Sequence, residues 1–392
     1  MTSSSSFRPD VLVIGLGAMG SATAYQLAKR GANVMAVDQF KPPHAHGSTH
    51  GETRITRQAI GEGRQFVPLA QRSHELWREI ERETGHTLLT QSGGLIVARA
   101  GLASHMHEQQ DFLGNTISAA NEFGIAHEVL TAATIAARYP QLMLTGDETA
   151  YFEAGAGYLA PETCVSAQLE LAARFGATLN THERVLAVRR EGGKAVVATD
   201  RGTYTPGTTI VAAGPWLPAL LPQLAQRLVV RRQVQYWFEI EDNASYAVDQ
   251  FPIFIWHWGA GPDDVFYGFP QVGEGLRAIK IATEQCDTAT TPEQVAREVA
   301  PEEIAAMFER HIRGRLRDVT ARCVKASTCL YTNAPAANFL IDRLPDTPDV
   351  IVVSACSGHG FKHSAAIGEA VALMANSGQT PNVLRPFAFA AH

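Results

Sequence analysis

The chain has 392 residues, of which 45% are hydrophobic and 18% are charged, and its formal net charge is -6. This length allows a large buried core and predicts about two domains. The negative charge argues against nucleic acid or anionic lipid as a partner. No apolar run is long enough to predict a membrane span, and the serine-rich residues 1–10 lack the apolar core of a secretory signal. We therefore expect a cytoplasmic protein without a membrane partner.

The cysteines predict no structural cross-link. They are dispersed along the chain and form no CxxC pair, so neither a disulfide framework nor a metal site is indicated. A role for any one of them has to be argued from its own surroundings. The five are Cys164, Cys286, Cys323, Cys329 and Cys356.

The N-terminal part predicts a strand–helix–strand unit. The apolar run 11–14 predicts a buried parallel strand, residues 21–30 have helical periodicity, and residues 33–37 predict a second strand. A polar segment, 41–63, follows and contains no pattern of a regular element. Long irregular segments of this kind are often functional when they lie beside a cofactor.

The remaining chain alternates between α/β and β-rich regions. Helices are predicted at 68–82, 162–175, 291–317 and 358–376. Strands are predicted at 95–98, 184–189, 208–213, 233–240, 253–258, 265–267 and 350–354. We expect an α/β protein with a Rossmann-like domain formed by 1–85, 146–220 and 321–392, and a discontinuous β-rich substrate domain formed by 86–145 and 221–320.

A glycine motif joins the first predicted strand to the first helix. Gly15, Gly17 and Gly20 are spaced as GxGxxG, and Asp38 ends the next strand about 20 residues later. The glycines allow a tight turn, close approach of a pyrophosphate, and close packing of helix on strand. Asp38 can accept hydrogen bonds from ribose hydroxyls. The motif predicts a dinucleotide and does not by itself separate FAD from NAD.

Several further motifs occur in order along almost the whole chain: GSTHGETRITR at 47–57, GEGR at 61–64, YGFP at 267–270, CLYT at 329–332, FLID at 339–342 and SGHGFKHS at 357–364. Together they resemble the monomeric sarcosine oxidase and N-methyltryptophan oxidase family of D-amino-acid-oxidase-like flavoproteins. This resemblance favours FAD over a nicotinamide. The resemblance implies a glutathione-reductase-like, D-amino-acid-oxidase-like fold with bound FAD.

The resemblance, together with the glycine motif, implies a set of FAD-binding residues. His50 and Arg54 match family residues on one face of the flavin, where they can tune its charge. Cys329 matches the cysteine that forms a thioether to the flavin 8α carbon, which implies covalent FAD. The whole set is Gly15, Gly17, Ala18, Met19, Gly20, Asp38, Gln39, Ser48, His50, Thr53, Arg54, Val185, Gly214, Trp216, Cys329, Gly358, Gly360, Phe361 and Lys362.

The resemblance also implies a substrate site. Arg57 and Lys362 match the cation pair that holds a substrate carboxylate. The planar guanidinium of arginine can bind both carboxylate oxygens, and the ammonium of lysine adds a point charge. The carbonyl of Gly358 could orient the amine, and Tyr267 and Tyr331 resemble the aromatic wall of the pocket. An aromatic and partly dry pocket favours the neutral amine that oxidation requires.

Two further positions concern oxygen and specificity. Lys280 matches the lysine that activates oxygen in the family if a two-residue insertion follows 267–270. If the insertion lies elsewhere, Arg277 takes that position. Glu284 stands where the family often has histidine. A carboxylate there would repel an acidic substrate and attract a second cationic or amine group.

The sequence thus predicts an FAD-dependent oxidoreductase acting on the C–N bond of a secondary or N-methylated amino acid, with O₂ reduced to H₂O₂, and with a small-molecule substrate and a monomeric state. One alternative is a deaminating oxidase or dehydrogenase of a primary or cyclic amino acid. Others are a non-catalytic FAD-binding subunit and an NAD-dependent dehydrogenase.

Overall fold

The computed structural model describes residues 9–273, 275–285 and 288–391, so Cys286 lies outside the described residues. The α-helices are α1 Ala18–Lys29, α2 Val67–Thr84, α3 Phe112–Glu122, α4 Ala132–Arg138, α5 Pro161–Arg174, α6 Leu217–Leu220, α7 Pro301–Met307 and α8 Ser364–Ser377. The first strands are β1 Val11–Ile14, β2 Val34–Asp38, β3 Arg54–Thr56, β4 Leu89–Thr90, β5 Gly94–Arg99, β6 Glu128–Thr131, β7 Glu148–Glu153, β8 Gly157–Leu159, β9 Thr178–Thr181 and β10 Val185–Glu191. The later strands are β11 Lys194–Thr199, β12 Thr203–Tyr204, β13 Thr208–Val211, β14 Val229–Ile240, β15 Ile253–His257, β16 Val265–Gly268, β17 Ala278–Ala282, β18 Val319–Asn333, β19 Leu340–Leu344 and β20 Thr347–Ser354.

A mostly parallel six-stranded sheet contains the N-terminal strand. Its order is β19-β20-β13-β1-β2-β9, and β1 pairs in parallel with both β2 and β13. All residues of β1 and β2 are buried. This explains why both strands are continuous apolar runs, as expected for a parallel sheet covered on both faces. The arrangement is the Rossmann-like sheet that the sequence predicts.

The C-terminal helix packs directly on the N-terminal helix. α8 contacts α1 and α2, and α1 also contacts α5. The close approach depends on Gly368 of α8, where an added Cβ would lie 2.5 Å from the carbonyl carbon of Ala22 in α1. The chain therefore brings the loop before α8 next to the glycine turn before α1, although the two are far apart in sequence.

The second large sheet is mostly antiparallel and has eight strands. Its order is β18-β14-β17-β16-β15-β5-β7-β6, with β15 and β5 as a parallel pair. The long strands β14 and β18 pair along most of their length. Their register places Cys329 opposite Gln233 and Tyr331 opposite Arg231. This sheet forms one wall of the candidate site, and the six-stranded sheet forms the base.

The segment 41–63, which the sequence analysis left without a regular element, contains the short strand β3. It pairs with β8, which in turn pairs with β4 in a separate sheet. The pairing joins residues about a hundred positions apart, so a local pattern could not predict it. The strand holds Arg54 and Ile55 at the cleft described below.

The region 291–317 is less helical than predicted. It contains α7 followed by a π-helical turn at Phe308–Ile312, while residues 291–298 form no helix. The carbonyls of Ala296 and Glu298 accept hydrogen bonds from the guanidinium of Arg232 in β14. These hydrogen bonds tie the segment to β14, and the regular helix starts only at Pro301, because proline favours the first position of a helix.

The predicted domain boundaries stay a prediction. Strands β7 and β18 belong to the eight-stranded sheet, although β7 lies within, and β18 lies mostly within, segments that the sequence analysis assigned to the FAD-binding domain. Among the described residues, no helix combines the length and the apolar character needed to cross a bilayer. Within the same part of the chain, no group of three or more His, Cys, Asp or Glu side chains is arranged to hold a metal ion.

Candidate active site

A cleft extends from the glycine turn after β1, past the ends of β2 and β13, to the loop before α8. Most of the predicted site residues line it. Those that do are Gly15, Gly17, Ala18, Met19, Asp38, Gln39, Ser48, Thr53, Arg54, Arg57, Val185, Gly214, Trp216, Tyr267, Lys280, Glu284, Tyr331, Gly358, Gly360, Phe361 and Lys362. Gly20, His50 and Cys329 do not line the cleft itself and lie behind its surface.

The junction of β1 and α1 requires glycine at two positions, one in the turn and one in the first turn of the helix. Gly15 has φ +87°, and an added Cβ would lie 2.5 Å from the carbonyl oxygen of Ala212. An added Cβ on Gly20 would lie 1.7 Å from the carbonyl oxygen of Gly15. Both clashes are with backbone, which cannot move aside. Gly20 therefore acts by packing α1 onto β1, as the motif predicts.

The first turn of α1 is open towards the cleft. Its N-cap is Gly17, and no side chain caps the helix. Free backbone N–H groups at a helix N-terminus favour a phosphate. Asp38 is held at the end of β2 because its carboxylate accepts hydrogen bonds from the backbone N–H groups of Leu16 and Phe40, both at 2.8 Å. This arrangement fits the pyrophosphate and ribose of a dinucleotide.

Several buried polar atoms beside the cleft have no hydrogen-bond partner within the described part of the chain. They are Oγ of Ser48, Oγ1 of Thr53, Oε1 of Gln235 and Oγ1 of Thr332. Buried polar atoms are normally paired, so such a group indicates a polar ligand. Hydroxyls and an amide match the ring nitrogens and carbonyls of an isoalloxazine. The residues present therefore fit FAD.

His50 lies just behind the cleft and is neutral. Burial, together with the nearby charges of Arg54 and Lys280, lowers its pKa to about 3. Arg54 is anchored by donating to the carbonyl oxygens of Ser48 and Thr53. The positive charge at this part of the site therefore comes chiefly from Arg54, because burial disfavours the charged form of Lys280.

Arg57 and Lys362, the cation pair predicted to hold the substrate carboxylate and called the clamp below, are both paired with a carboxylate of the protein itself, Glu62. Arg57 donates to Oε2 of Glu62 at 2.6 Å, and Nζ of Lys362 donates to Oε1 of the same residue at 3.2 Å. All three side chains are buried. Burial alone would raise the pKa of Glu62, but the two cations outweigh it and hold this pKa well below its ordinary value. With two cations and one anion, the cluster keeps a net positive charge for a ligand.

Tyr267 and Tyr331 form an aromatic wall of the cleft. Their hydroxyl groups are 3.4 Å apart, and burial raises both pKa values, that of Tyr267 to about 12. Both phenols therefore stay protonated at physiological pH. Gly358, with φ +79°, lies against this wall, because an added Cβ would be 3.1 Å from a ring carbon of Tyr331.

Lys280 and Arg277 lie in different places. Nζ of Lys280 donates to the carbonyl oxygens of Gly51 at 2.8 Å and Thr53 at 2.6 Å, and it lies 4.2 Å from the centroid of the Phe269 ring. Burial, followed by the charge of Arg54, lowers the pKa of Lys280 well below its ordinary value. Arg277 is directed away and donates to the carbonyl oxygen of Glu241. Only Lys280 of the two lines the cleft.

Cys329 is buried in β18 behind the cleft wall. Burial raises the pKa of its thiol, while the charge of Arg54 and a hydrogen bond from Gln235 act in the opposite direction. Gln235 itself lines the cleft. A second cysteine, Cys356, lies in the loop before α8 and lines the cleft directly.

Sequence reasoning missed two side chains that contribute to the site. Glu62 was noted only within the GEGR motif, and its place between two cations depends on a contact across 300 residues. His107 comes from the loop between β5 and α3, and its Nδ1 lies 3.5 Å from Oε1 of Glu62. No periodicity or motif around His107 indicates a functional residue, so only the structure could reveal it.

The fold and the cleft are those of a flavin-dependent oxidoreductase. Residues 10–374 match the model of the family of FAD-dependent oxidoreductases, and the chain belongs to this family. The chain is 38% identical over 381 residues to a monomeric sarcosine oxidase of Streptomyces avermitilis, with 96% of each chain covered. It is 31% identical over 379 residues to an N-methyl-L-tryptophan oxidase of Escherichia coli, with 96% of this chain and 98% of the relative covered.

Solved structures show the same fold. NikD, described as an unusual amino acid oxidase essential for nikkomycin biosynthesis, matches with a TM-score of 0.83 and 24% identity over 97% of each chain. An L-proline dehydrogenase from P. horikoshii matches with a TM-score of 0.79 and 21% identity, covering 98% of this chain and 97% of the other. The predicted resemblance and fold class are confirmed. The match to an FAD family also decides the cofactor in favour of FAD over a nicotinamide.

The clamp should lose affinity for carboxylates in alkali. Burial lowers the pKa of Lys362 to about 8, although Glu62 opposes the shift. Lys362 is therefore charged below this pH and becomes neutral above it. We expect the Kd of an unreactive carboxylate such as propionate, measured by calorimetry on the holoenzyme, to rise about tenfold between about pH 7 and about pH 9.5.

The variant Lys362→Arg provides the control, because a guanidinium stays charged over this range. Its Kd should change little between the same two pH values, whatever its absolute affinity. A wild-type Kd that is independent of pH, or a variant Kd that rises as much as that of the wild type, would contradict the assignment.

Proposed function

We propose that the protein oxidises the C–N bond of a secondary or N-methylated amino acid. The observation that carries this proposal is the buried, net positive cluster of Arg57, Lys362 and Glu62 on the same cleft that fits FAD. Relatives named for oxidation of sarcosine and of N-methyl-L-tryptophan, aligned over nearly the whole chain, support it. A cleft that only bound FAD would not need a buried carboxylate clamp.

The clamp binds and orients the substrate. Arg57 offers a planar fork whose Nε has no hydrogen-bond partner within the described residues, and Lys362 offers a point charge. The carboxylate of the substrate would be held by both. Glu62 keeps the two cations in place before the substrate arrives, so little reorganisation is needed on binding.

The aromatic wall determines the state of the amine. Tyr267 and Tyr331 are half-buried and neutral, so the amine would sit against surfaces that solvate an ammonium poorly. The backbone carbonyl of Gly358 can accept a hydrogen bond from the amine and orient it. This environment favours loss of the ammonium proton and excludes water from the C–N bond.

FAD, when bound, supplies the two-electron acceptor for the C–N bond. The imine product would then be hydrolysed in water to a carbonyl compound and an amine. We further propose that O₂ is the final acceptor and gives H₂O₂, with Lys280, when protonated, as the positioned cation that stabilises charge on oxygen. Two carbonyl oxygens and an aromatic face hold Lys280 in the cleft, which supports this role.

We also propose that FAD is covalently attached through Cys329. The resemblance carried by CLYT at 329–332 supports this. Burial raises the pKa of the Cys329 thiol, while Arg54 and Gln235 act in the opposite direction and favour the thiolate that such a bond requires. The name of the relatives supports a monomeric state, and a cytoplasmic location remains a prediction from the sequence.

The function is tested with the purified holoenzyme and a panel of N-methyl amino acids, by bleaching of the flavin absorbance without oxygen and by peroxide formation with oxygen. We expect N-methyl amino acids to react, while the matching N,N-dimethyl amides of their carboxyl groups do not, because these amides give the clamp no carboxylate. Reaction with primary amino acids alone would favour a deaminating enzyme. Bleaching without peroxide would favour a dehydrogenase.

The covalent bond is tested by acid precipitation of the wild type, Cys329→Ser and Cys356→Ser. We expect the yellow colour to stay with the protein pellet in the wild type and in Cys356→Ser. In Cys329→Ser it should pass almost completely into the supernatant, because a hydroxyl does not replace the thiolate as a nucleophile. Release from Cys356→Ser alone would move the bond to Cys356, and release from the wild type would exclude a covalent bond.

The oxygen role is tested by steady-state kinetics of Lys280→Met at varied oxygen and varied amine. We expect kcat/KM for oxygen to fall by about two orders of magnitude, the usual cost of removing a fixed electrostatic donor. The value for the amine should fall much less. Arg277→Met is the matched control, since this side chain lies outside the cleft and should leave both values close to those of the wild type. Equal losses in both values for Lys280→Met would remove Lys280 from this role.

A further inference from the structure

Glu284 is a largely buried carboxylate on the wall of the cleft. It follows β17 by two residues, its side chain is 14% exposed, and it lines the cleft together with Tyr267 and Tyr331. Among the described residues, the imidazole of His107 is its sole possible ion-pair partner, at 3.8 Å. In the part of the chain that the structure describes, no lysine or arginine lies within ion-pair distance of this carboxylate.

One oxygen of Glu284 is used and the other is free. Oε2 accepts a hydrogen bond from the backbone N–H of His107 at 3.0 Å. Oε1 lies 3.8 Å from Nε2 of His107, which is beyond hydrogen-bond distance. The backbone bond thus fixes the position of the carboxylate and leaves Oε1 available to a ligand.

Glu62 and Glu284 therefore differ in whether cations of the protein compensate their charge. Glu62 has two cations beside it, and that cluster is net positive. Glu284 has neither an arginine nor a lysine within ion-pair distance among the described residues. A buried carboxylate without a cation is unfavourable, so a cationic group of a ligand would stabilise this end of the cleft.

The surroundings of Glu284 also suit a cation. Its charge reaches Tyr267, whose pKa is raised chiefly by burial and further by Glu284 among other groups. The neutral rings of Tyr267 and Tyr331 can contribute cation–π attraction to an ammonium between them and the carboxylate. An acidic or neutral side chain would gain neither interaction.

The two ends of the cleft are close enough for one small molecule. The imidazole of His107 lies between them, with Nδ1 3.5 Å from Oε1 of Glu62 and Nε2 3.8 Å from Oε1 of Glu284. A ligand that reaches from the clamp to Glu284 thus needs only a short alkyl chain between its carboxylate and its cation.

From this geometry we infer that the substrate is an N-alkyl amino acid with a second, cationic group on its side chain, which pairs with Glu284 while the carboxylate pairs with Arg57 and Lys362. The inference rests on the proposed function for the identity of the reacting bond. His107 is a positioning residue in this arrangement, because its backbone N–H fixes the carboxylate.

The kinetic test compares Nα-methyl-ornithine with Nα-methyl-norleucine, which replaces the ammonium by a methyl group of similar size. We expect the wild type to prefer the cationic substrate by about tenfold or more in kcat/KM, the usual value of a charge-assisted hydrogen bond. In Glu284→Gln this ratio should fall to near one. The amide oxygen of glutamine can still accept from His107, so this variant removes the charge and keeps the anchor.

Glu108→Gln is the matched control, because it removes an exposed carboxylate from the same loop. It should keep the wild-type ratio. A wild type that prefers Nα-methyl-norleucine, or a Glu284→Gln variant that lowers both values equally and keeps the ratio, would overturn the inference. The second result would show that Glu284 only supports the loop.

A binding test separates this inference from the proposed function. The Kd values of 5-aminopentanoate and hexanoate, which carry no N-alkyl α-amine to oxidise, are measured by calorimetry on the holoenzyme. We expect wild type to bind 5-aminopentanoate about tenfold more tightly, and Glu284→Gln to lose this preference. If no N-methyl amino acid reacts but this preference is found, the proposed function fails and the cation site stands. Equal or absent binding of both ligands overturns the site.

Discussion

The buried contact of Glu62 with Arg57 and Lys362 is the interaction on which the site depends. It joins the segment that follows β3 to the loop before α8, across 300 residues of sequence. Removing either cation would leave the carboxylate with too little compensation, and removing the carboxylate would leave two cations side by side. Breaking a buried ion pair in this way commonly costs about 3–5 kcal/mol. A well-packed apolar substitute could be as stable, so the cluster is better explained by ligand binding than by stability.

The packing of α8 on α1 makes this contact possible. Gly368 allows the two helices to approach, and Gly15 and Gly20 allow α1 to start directly above β1. The glycine turn before α1 and the cluster of Arg57, Glu62 and Lys362 are thus positioned by the same helix pair. A side chain at Gly368 would displace both ends of the cleft relative to each other.

The parts of the site that the sequence predicts well are local. The glycine motif, Asp38 and the strands around them are adjacent in the chain, and their spacing alone fixes their geometry. Lys280 was predicted from the family resemblance with a two-residue insertion after 267–270; it lines the cleft and Arg277 does not, while its role stays a prediction.

The parts that the sequence did not predict depend on long-range contacts. β3 forms because it pairs with β8. Residues 291–298 form no helix, and a side chain of β14 donates hydrogen bonds to their carbonyl oxygens. His107 reaches the cleft because Glu284, 177 residues away, accepts its backbone N–H. Local patterns contain no information about such partners, so an ordinary loop histidine and a pocket histidine look the same in the sequence.

Each charged group of the cleft is fixed by one set of contacts and has an atom or a charge left for a ligand. Two backbone N–H groups hold Asp38, two carbonyl oxygens hold Lys280, and one backbone N–H holds Glu284. Because backbone rather than water supplies these contacts, little solvent has to be reorganised when a ligand binds. Along the cleft, the net positive cluster of Arg57, Lys362 and Glu62 is followed by the negative Glu284. A ligand that matches this order keeps every buried charge paired, whereas a ligand with the reverse order leaves both ends uncompensated. The selectivity of the pocket therefore follows from the position of its charges at least as much as from its shape.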